Sequence, residues 1–463
     1  MTGYTFNQDI IREYDIRGTV DVNLKDSDAY YIGKAFGTKI IRDGGKTVCV
    51  AYDGRHSSPA FEKQVVKGLT ETGVSVQRIG LGPTPLLYFA VKDHKADGGI
   101  MITGSHNPSD MNGFKMMIQS GPFYGAMIKE LSDIAKSGEF EQGDGDCREI
   151  DIIETYIARI LKDMSFSKNM KIAWDAGNGA SGEILQKLAA KLPGEHILLY
   201  ADIDGDFPNH HPDPTVDENL EDLKRAVIDQ SCDLGIAFDG DGDRIGVIDN
   251  NGQIIRSDML LAVYAKDVLK NMPGAPIIAD VKCSNTLFSA IKEMGGQPIM
   301  WKTGHSLIKS KMAETNAPLA GELSGHIFFA DKYYGFDDGM YCALRLLNQL
   351  CDADDMMKLS DLMADMPRPI NTPEIRLDVK EDEKFKLVTE VQKHLKSILP
   401  NINMLDETDG ARVTLDNGWW LVRASNTQAC LIARAEADNL EHLETVKANL
   451  KKTLSACGFD AKF

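Results

Sequence analysis

Three acidic residues alternate with glycine in Asp239-Gly240-Asp241-Gly242-Asp243, and Arg244 follows at once. Alternating carboxylates can converge on one hard cation, and the glycines let the backbone wrap it. An EF-hand calcium loop is the rival. Its twelfth position, counted from Asp239, is Asn250 rather than a bidentate glutamate, and the flanks LGIAF and IGVID read as strands. The pattern therefore points to metal binding, magnesium ahead of calcium. A magnesium site with few protein ligands has room for a phosphate oxygen, which is what offsets charge in phosphoryl transfer. Arg244 is positioned to hold the phosphoryl group.

A candidate nucleophile lies in residues 97–115, DGGIMITGSHNPSDMNGFK. Ile100-Met101-Ile102 reads as a buried strand, which Gly104 and Pro108 break. Ser105 is expected to sit exposed at the strand tip, with His106 beside it and Lys115 further on. Serines on rigid turns become nucleophiles when a base or metal activates them. Taken alone, a Ser-His pair is more often just a polar turn.

Four further stretches carry polar chemistry. In Gly321-Glu322-Leu323-Ser324-Gly325-His326, Glu322 and Ser324 alternate, so both can face vicinal sugar hydroxyls; an N-cap-like loop is the plainer alternative. Lys302-Thr303-Gly304-His305-Ser306 offers a cation and an imidazole for acid-base work. Arg423-Ala424-Ser425-Asn426-Thr427 combines a guanidinium, hydroxyls and an amide into a plausible anion nest. Near the start, NQDIIREYDIRG places Tyr14 and Arg17 at a strand or loop where an arginine can clamp phosphate.

These loops need positioning elements. Apolar runs alternate with amphipathic segments from residue 47 onward, and one β-α-β-α-β unit recurs three times. Its first strands are TVCVAYDGR, MKIAWDAGNG and APIIADVKCSN, ending at Asp53, Asp175 and Asp280. Its second strands are VSVQRIG, HILLYADI and GQPIMWKTG. Its third strands are ADGGIMITGSH, CDLGIAFDGDGD and APLAGELSGH, each running into a Gly-rich loop. Ligands of open α/β sheets gather at strand carboxyl ends, so three such loops make one composite site. SGEFEQGDGDCRE (137–149) reads as a linker, and Pro367, Pro369 and Pro373 mark another break. The last stretch reads as a smaller α+β domain, with Leu443, Val446, Leu450 and Leu454 aligned on its final helix. Trp419 and Trp420 read as core, at least one of them. The expected fold class is α/β: three related α/β domains with mixed sheets plus a smaller C-terminal α+β domain around a central cleft. The expected domains are 1–150, 151–253, 254–367 and 368–463.

The chain has 463 residues, 43% apolar and 26% charged, the profile of a globular protein of about three or four domains. A net charge of −18 leaves no broad basic surface for nucleic acid. It does not oppose a small phosphate ligand. Eight scattered cysteines with no CxxC pair read as free thiols in a reducing compartment. No apolar run approaches the ~18 residues of a membrane span, and MTGYTFNQDIIREYD has no apolar signal core. A cytoplasmic protein without membrane partners is the expectation.

YDIRG (14–18), TGSHNP (103–108), DGDGDR (239–244), KTGHS (302–306), GELSGH (321–326) and RASNT (423–427) occur in an order that resembles the α-D-phosphohexomutase family. Within the family, the resemblance is closest to bacterial enzymes of mannose and glucose phosphates. It implies four domains around a cleft, and a mutase interconverting hexose 1-phosphate and hexose 6-phosphate through phospho-Ser105 and a hexose 1,6-bisphosphate. It implies Mg²⁺ on Asp239, Asp241, Asp243 and the Ser105 phosphate. Glucose 1,6-bisphosphate or mannose 1,6-bisphosphate serves as activator and intermediate. Glu322 and Ser324 then read the sugar 3- and 4-hydroxyls, and Arg423, Ser425, Asn426 and Thr427 grip the non-reacting phosphate. Tyr14, Arg17, His106, Lys115, Arg244, Lys282, His305 and His326 correspond to further cleft residues. Lys115 and His305 are candidates for handling the hydroxyl proton. The implied partner is a hexose phosphate, and the implied state a monomer or weak dimer.

Two departures stand out. Leu323 replaces a methionine common in dual-specificity members, a swap of similar volume. RASNTQA replaces the RPSGTEP usual in phosphoglucosamine mutases, which favours a mannose/glucose enzyme. A phosphoglucosamine mutase, a phosphatase using the same serine and metal, and a non-catalytic sugar-phosphate binder are the alternatives.

Overall fold

The computed structural model describes residues 3–354, 357–399, 402–426 and 428–463. Its first three sheets repeat one strand arrangement. In each, a central strand (Thr47–Tyr52, Met170–Asp175 or Pro276–Asp280) has a parallel neighbour on either side. One neighbour is Ser75–Leu81, Gly194–Leu199 or Gln297–Trp301. The other is Gly98–Ile102, Leu234–Phe238 or Leu319–Gly321. Beyond the latter an antiparallel strand follows: Met111–Ile118, Ile245–Asp249 or Ile327–Phe329. Helices cover these mixed sheets, so the strands are buried and read as continuous apolar runs.

The aspartates that end the central strands have one shared job. Asp53, Asp175 and Asp280 each accept, through Oδ1, the backbone N–H two residues on, at 3.1, 2.8 and 3.2 Å. A short carboxylate that hydrogen-bonds its own backbone in this way makes a tight turn out of the strand.

The linker expected at 137–149 contributes to the first sheet. Cys147–Glu149 pairs in parallel with Ser75–Leu81 as an edge strand. Its glycines are there for close approach: a Cβ on Gly145 would fall 1.9 Å from the Val74 carbonyl oxygen. Asn250-Asn251-Gly252 turns the hairpin between Ile245–Asp249 and Ile254–Ile255.

One apolar core runs through the first three units, from Leu86–Val91 through Tyr156 and Trp174 to Phe329 and Tyr341. The C-terminal domain has its own core around Trp420, Val391 and Leu450, on a six-stranded sheet. Trp419 lies outside that core. It packs on Val281 of the third unit, with the Arg412 guanidinium 3.6 Å from its ring centroid. The C-terminal domain thus docks through a small patch rather than a shared core.

An ion pair reinforces that docking. Lys282 Nζ lies 3.1 Å from Glu374 Oε2, and the ammonium holds the carboxyl down at about 2. A depressed carboxyl stabilises the docked state above its unfolded value, and this is lost as pH falls through the folded value. Glu374→Gln is expected to lower the thermal unfolding midpoint at pH 7. The gap from wild type should shrink as pH falls below about 4.5.

Candidate active site

The loop after Gly98–Ile102 carries Ser105. The expected exposed serine is instead 2% exposed, because the Asp239–Asp243 loop lies directly over it. Ser105 Oγ donates to Asp239 Oδ2 at 3.0 Å and stands 3.3 Å from His106 Nδ1. Its φ is +50°, a left-handed conformation that non-glycine residues adopt at a cost.

Arg55 holds that conformation in place. This fully buried guanidinium donates to the carbonyls of Ser105 (2.8 Å), Asn107 (2.6 Å), Pro108 (2.5 Å) and Met111 (2.9 Å). Its Nε pairs with Asp53 Oδ2 at 3.2 Å, and the same oxygen accepts the Gly104 N–H at 3.1 Å. Gly104 must be glycine, since a Cβ would fall 2.4 Å from Arg55 Cζ. Phe207 of the second unit covers the guanidinium, 5.1 Å from its ring centroid.

Asp239, Asp241 and Asp243 are all fully buried, and one oxygen from each lies within 4.8 Å of the others. Lys115 Nζ donates to Asp241 Oδ2 at 2.7 Å and to Asp243 Oδ2 at 2.5 Å; Thr84 Oγ1 also donates to Asp241 Oδ2. Asp241 Oδ1 has no hydrogen-bond partner among the described residues, and Asp243 Oδ1 faces the His326 imidazole at 3.2 Å. A buried carboxylate oxygen left without a donor fits a hard cation.

Burial and mutual repulsion push the Asp239 carboxyl up. Burial also opposes the charge on Asp243, yet Lys115 and His326 hold it well down. For Lys115, burial is outweighed by Asp241 and Asp243, so it stays an ammonium. Burial, then Arg244 and Arg17, hold His106 well below its ordinary value.

The third unit brings an acid-base pair of histidines. His305 and His326 stack with ring centroids 5.4 Å apart. His326 Nε2 lies 3.2 Å from Asp243 Oδ1 and 3.3 Å from Arg244 Nε. Burial alone would lower His326, but Asp243 and Glu322 hold it up at about 9. Burial, Lys309 and then His326 hold His305 down. Glu322 and Ser324 do face one side: Glu322 Oε2 and Ser324 Oγ lie 3.1 and 3.0 Å from His326 Nδ1.

The C-terminal domain closes the ring. Asn426 Nδ2 donates to Tyr14 Oη at 2.5 Å, and Tyr14 donates to the Thr303 carbonyl at 2.9 Å. Arg423 and Ser425 are buried behind Asn426. Arg17 pairs with Asp15 at 2.6 Å, leaving its Nε without a partner among the described residues. Thr427 lies outside the described residues. Lys302 is exposed, whereas the next residue, Thr303, already bonds Tyr14 and Asp409. Arg55 and Thr84 were not among the expected site residues. The only local signal for Arg55 was its position after the Asp53-Gly54 turn.

Four consecutive segments match domains of one family. Residues 8–142, 154–252 and 256–370 match α/β/α domains I, II and III of phosphoglucomutase/phosphomannomutase, and 374–453 match its C-terminal domain. The chain belongs to the phosphoglucomutase/phosphomannomutase family. Members include a phosphomannomutase/phosphoglucomutase of Pseudomonas aeruginosa, 45% identical over 98% of this chain and 96% of that protein. A phosphoglucomutase of Neisseria gonorrhoeae is 41% identical over 98% of both. A phosphoglucomutase/phosphomannomutase family protein of Burkholderia thailandensis, solved by X-ray crystallography, superposes with a TM-score of 0.93. It is 40% identical and the match covers 99% of each chain. As in these phosphohexomutases, three α/β/α domains precede a C-terminal domain with an antiparallel sheet. The family binds magnesium, and Asp239, Asp241 and Asp243 are candidate ligands for it. No helix among the described residues is long and apolar enough to cross a membrane.

Proposed function

We propose that the chain is a phosphomannomutase/phosphoglucomutase whose Ser105 carries the transferred phosphoryl group. The observation that carries this reading is the 3.0 Å contact of Ser105 Oγ with Asp239 at the meeting of the loops. Phospho-Ser105 gives its phosphoryl group to the free 6-hydroxyl of a hexose 1-phosphate. The Oγ–P bond breaks, a P–O6 bond forms, the hydroxyl proton passes to a base in the cleft, and Oγ takes up a proton. The resulting hexose 1,6-bisphosphate reorients in the cleft. Ser105 Oγ then gives up its proton and takes the phosphoryl group from O1, the P–O1 bond breaks, a proton goes to O1, and hexose 6-phosphate remains. The sequence is reversible and passes no phosphate to water.

Each side chain has a role in that cycle. His106 and Arg244 flank the transferring group, and Arg17 offers its unpartnered Nε. His305, held neutral, takes up the hydroxyl proton, and the Lys115 ammonium supplies one to the departing oxygen. Glu322 and Ser324 bind vicinal hydroxyls, with His326 set behind them, and Lys282 contacts the substrate from the third unit. Arg423, Ser425, Asn426 and Thr427, with Tyr14 across the cleft, grip whichever phosphate is not reacting. Asp239, Asp241 and Asp243 would hold Mg²⁺ together with a Ser105 phosphate oxygen. When bound, Mg²⁺ offsets negative charge on the transferring group. Every group named comes from one chain, so the cleft needs no second copy.

Chelation is expected to reduce turnover at least about a hundredfold, with full recovery on adding Mg²⁺. Intact-mass analysis after incubation with glucose 1,6-bisphosphate tests the phosphoserine. One added phosphoryl group that maps to Ser105 supports the reading. Transfer to another residue, or none, contradicts it.

A further inference from the structure

The grip on the non-reacting phosphate has to serve two half-reactions with one geometry. What fixes that geometry lies outside the RASNT loop. Asp409, in the turn before the strand Ala411–Leu415, faces Arg423. Its Oδ2 accepts the Arg423 Nε–H at 2.8 Å and, on the same oxygen, the Thr303 N–H of the third unit at 3.0 Å. The Thr303 carbonyl in turn accepts the Tyr14 hydroxyl at 2.9 Å.

The turn is built for this contact. Gly410 has φ +92°, and a Cβ there would fall 2.7 Å from Arg423 Cβ and 2.3 Å from the Val422 carbonyl oxygen. Gln392 Nε2, on the helix Lys384–Ile398, donates to the Gly410 carbonyl at 2.8 Å and holds the turn from behind.

We infer that Asp409 is the positioning residue of the phosphate grip, orienting Arg423 through Nε while docking the C-terminal domain on the Thr303 N–H. With Nε committed, phosphate recognition falls to the terminal guanidinium nitrogens, whose plane Asp409 sets. One carboxylate oxygen therefore ties the set of the grip to closure of the domain. This rests on the reading of Arg423 as a phosphate ligand.

Kinetics with mannose 1-phosphate, Mg²⁺ and glucose 1,6-bisphosphate test it, with thermal unfolding as a folding control. Asp409→Ala is expected to raise KM about 10- to 100-fold, the equivalent of one charge-assisted hydrogen bond, with kcat within about threefold. Asp409→Asn keeps an acceptor in the same place and should return KM to within about threefold of wild type. An unchanged or lowered KM in Asp409→Ala, with Arg423→Ala raising KM, overturns the inference alone. An unchanged KM in Arg423→Ala overturns the phosphate-grip reading, and this inference falls with it.

Discussion

Replacing Ser105 with alanine is expected to stop the mutase while leaving its cleft able to bind sugar phosphate. In the proposed cycle both half-reactions pass through Oγ, which leaves no bypass when it is lost. A nucleophile of this kind is worth about 10⁴-fold or more in turnover. Binding should survive, because the proposed grips sit on other loops: Glu322 and Ser324 on the third unit, Arg423 and Asn426 on the fourth. Calorimetry with glucose 1,6-bisphosphate should give an affinity within a few-fold of wild type. The alanine removes one donor to Asp239 Oδ2, yet Asp239 Oδ1 keeps the Arg244 N–H at 3.2 Å. A Ser105→Ala protein with full turnover would contradict the phosphoserine mechanism outright.

The second large effect is expected at Arg55, which touches no substrate. Arg55→Met removes four donors from the Ser105 loop and breaks the buried pair with Asp53. Removing one partner of a buried pair costs about 3 to 5 kcal/mol, because the other charge is left uncompensated. The left-handed Ser105 then loses what holds it, and a displacement of about 1 Å at a reacting atom costs about a hundredfold in rate. The expected result is a lower unfolding midpoint, kcat down about a hundredfold and KM little changed. Arg55→Lys should recover little, since a single ammonium cannot span the carbonyls that a planar fork reaches. A destabilised Arg55→Met enzyme with normal kcat would show that the arginine serves folding alone.

The contrast between these two residues shows what was legible in the sequence. Ser105 and the aspartates of Asp239–Asp243 stand in short motifs whose own side chains carry the proposed chemistry. The three-fold repeat was legible because each copy runs strand, helix, strand in the same order and ends its central strand on an aspartate. Arg55 gave no such signal. Its partners are backbone carbonyls about fifty residues away, and a carbonyl acceptor leaves no trace in residue type. Asp409 was hidden for the same reason, since half of its contact is a backbone N–H from another domain.

Local composition hid two features. Glycine and aspartate in 137–149 read as a linker, and the stretch does join the first two domains, but its end, Cys147–Glu149, also adds an edge strand to the first sheet. Ser105 read as exposed because a strand tip is usually solvated. Here a loop from the second unit covers it, with Gly240 so close that a Cβ would fall 2.3 Å from the Ser105 carbonyl oxygen. Of the tryptophan pair, Trp420 is core and Trp419 is the docking face of the C-terminal domain.

³¹P NMR of the purified protein with mannose 1-phosphate, Mg²⁺ and a trace of glucose 1,6-bisphosphate decides whether the phosphoryl group goes to sugar or to water. A hexose 6-phosphate signal is expected to grow with no inorganic phosphate, and to do the same with glucose 1-phosphate. Growth of inorganic phosphate alone would make the protein a phosphatase and contradict the mutase cycle, as would an unchanged spectrum with both sugars.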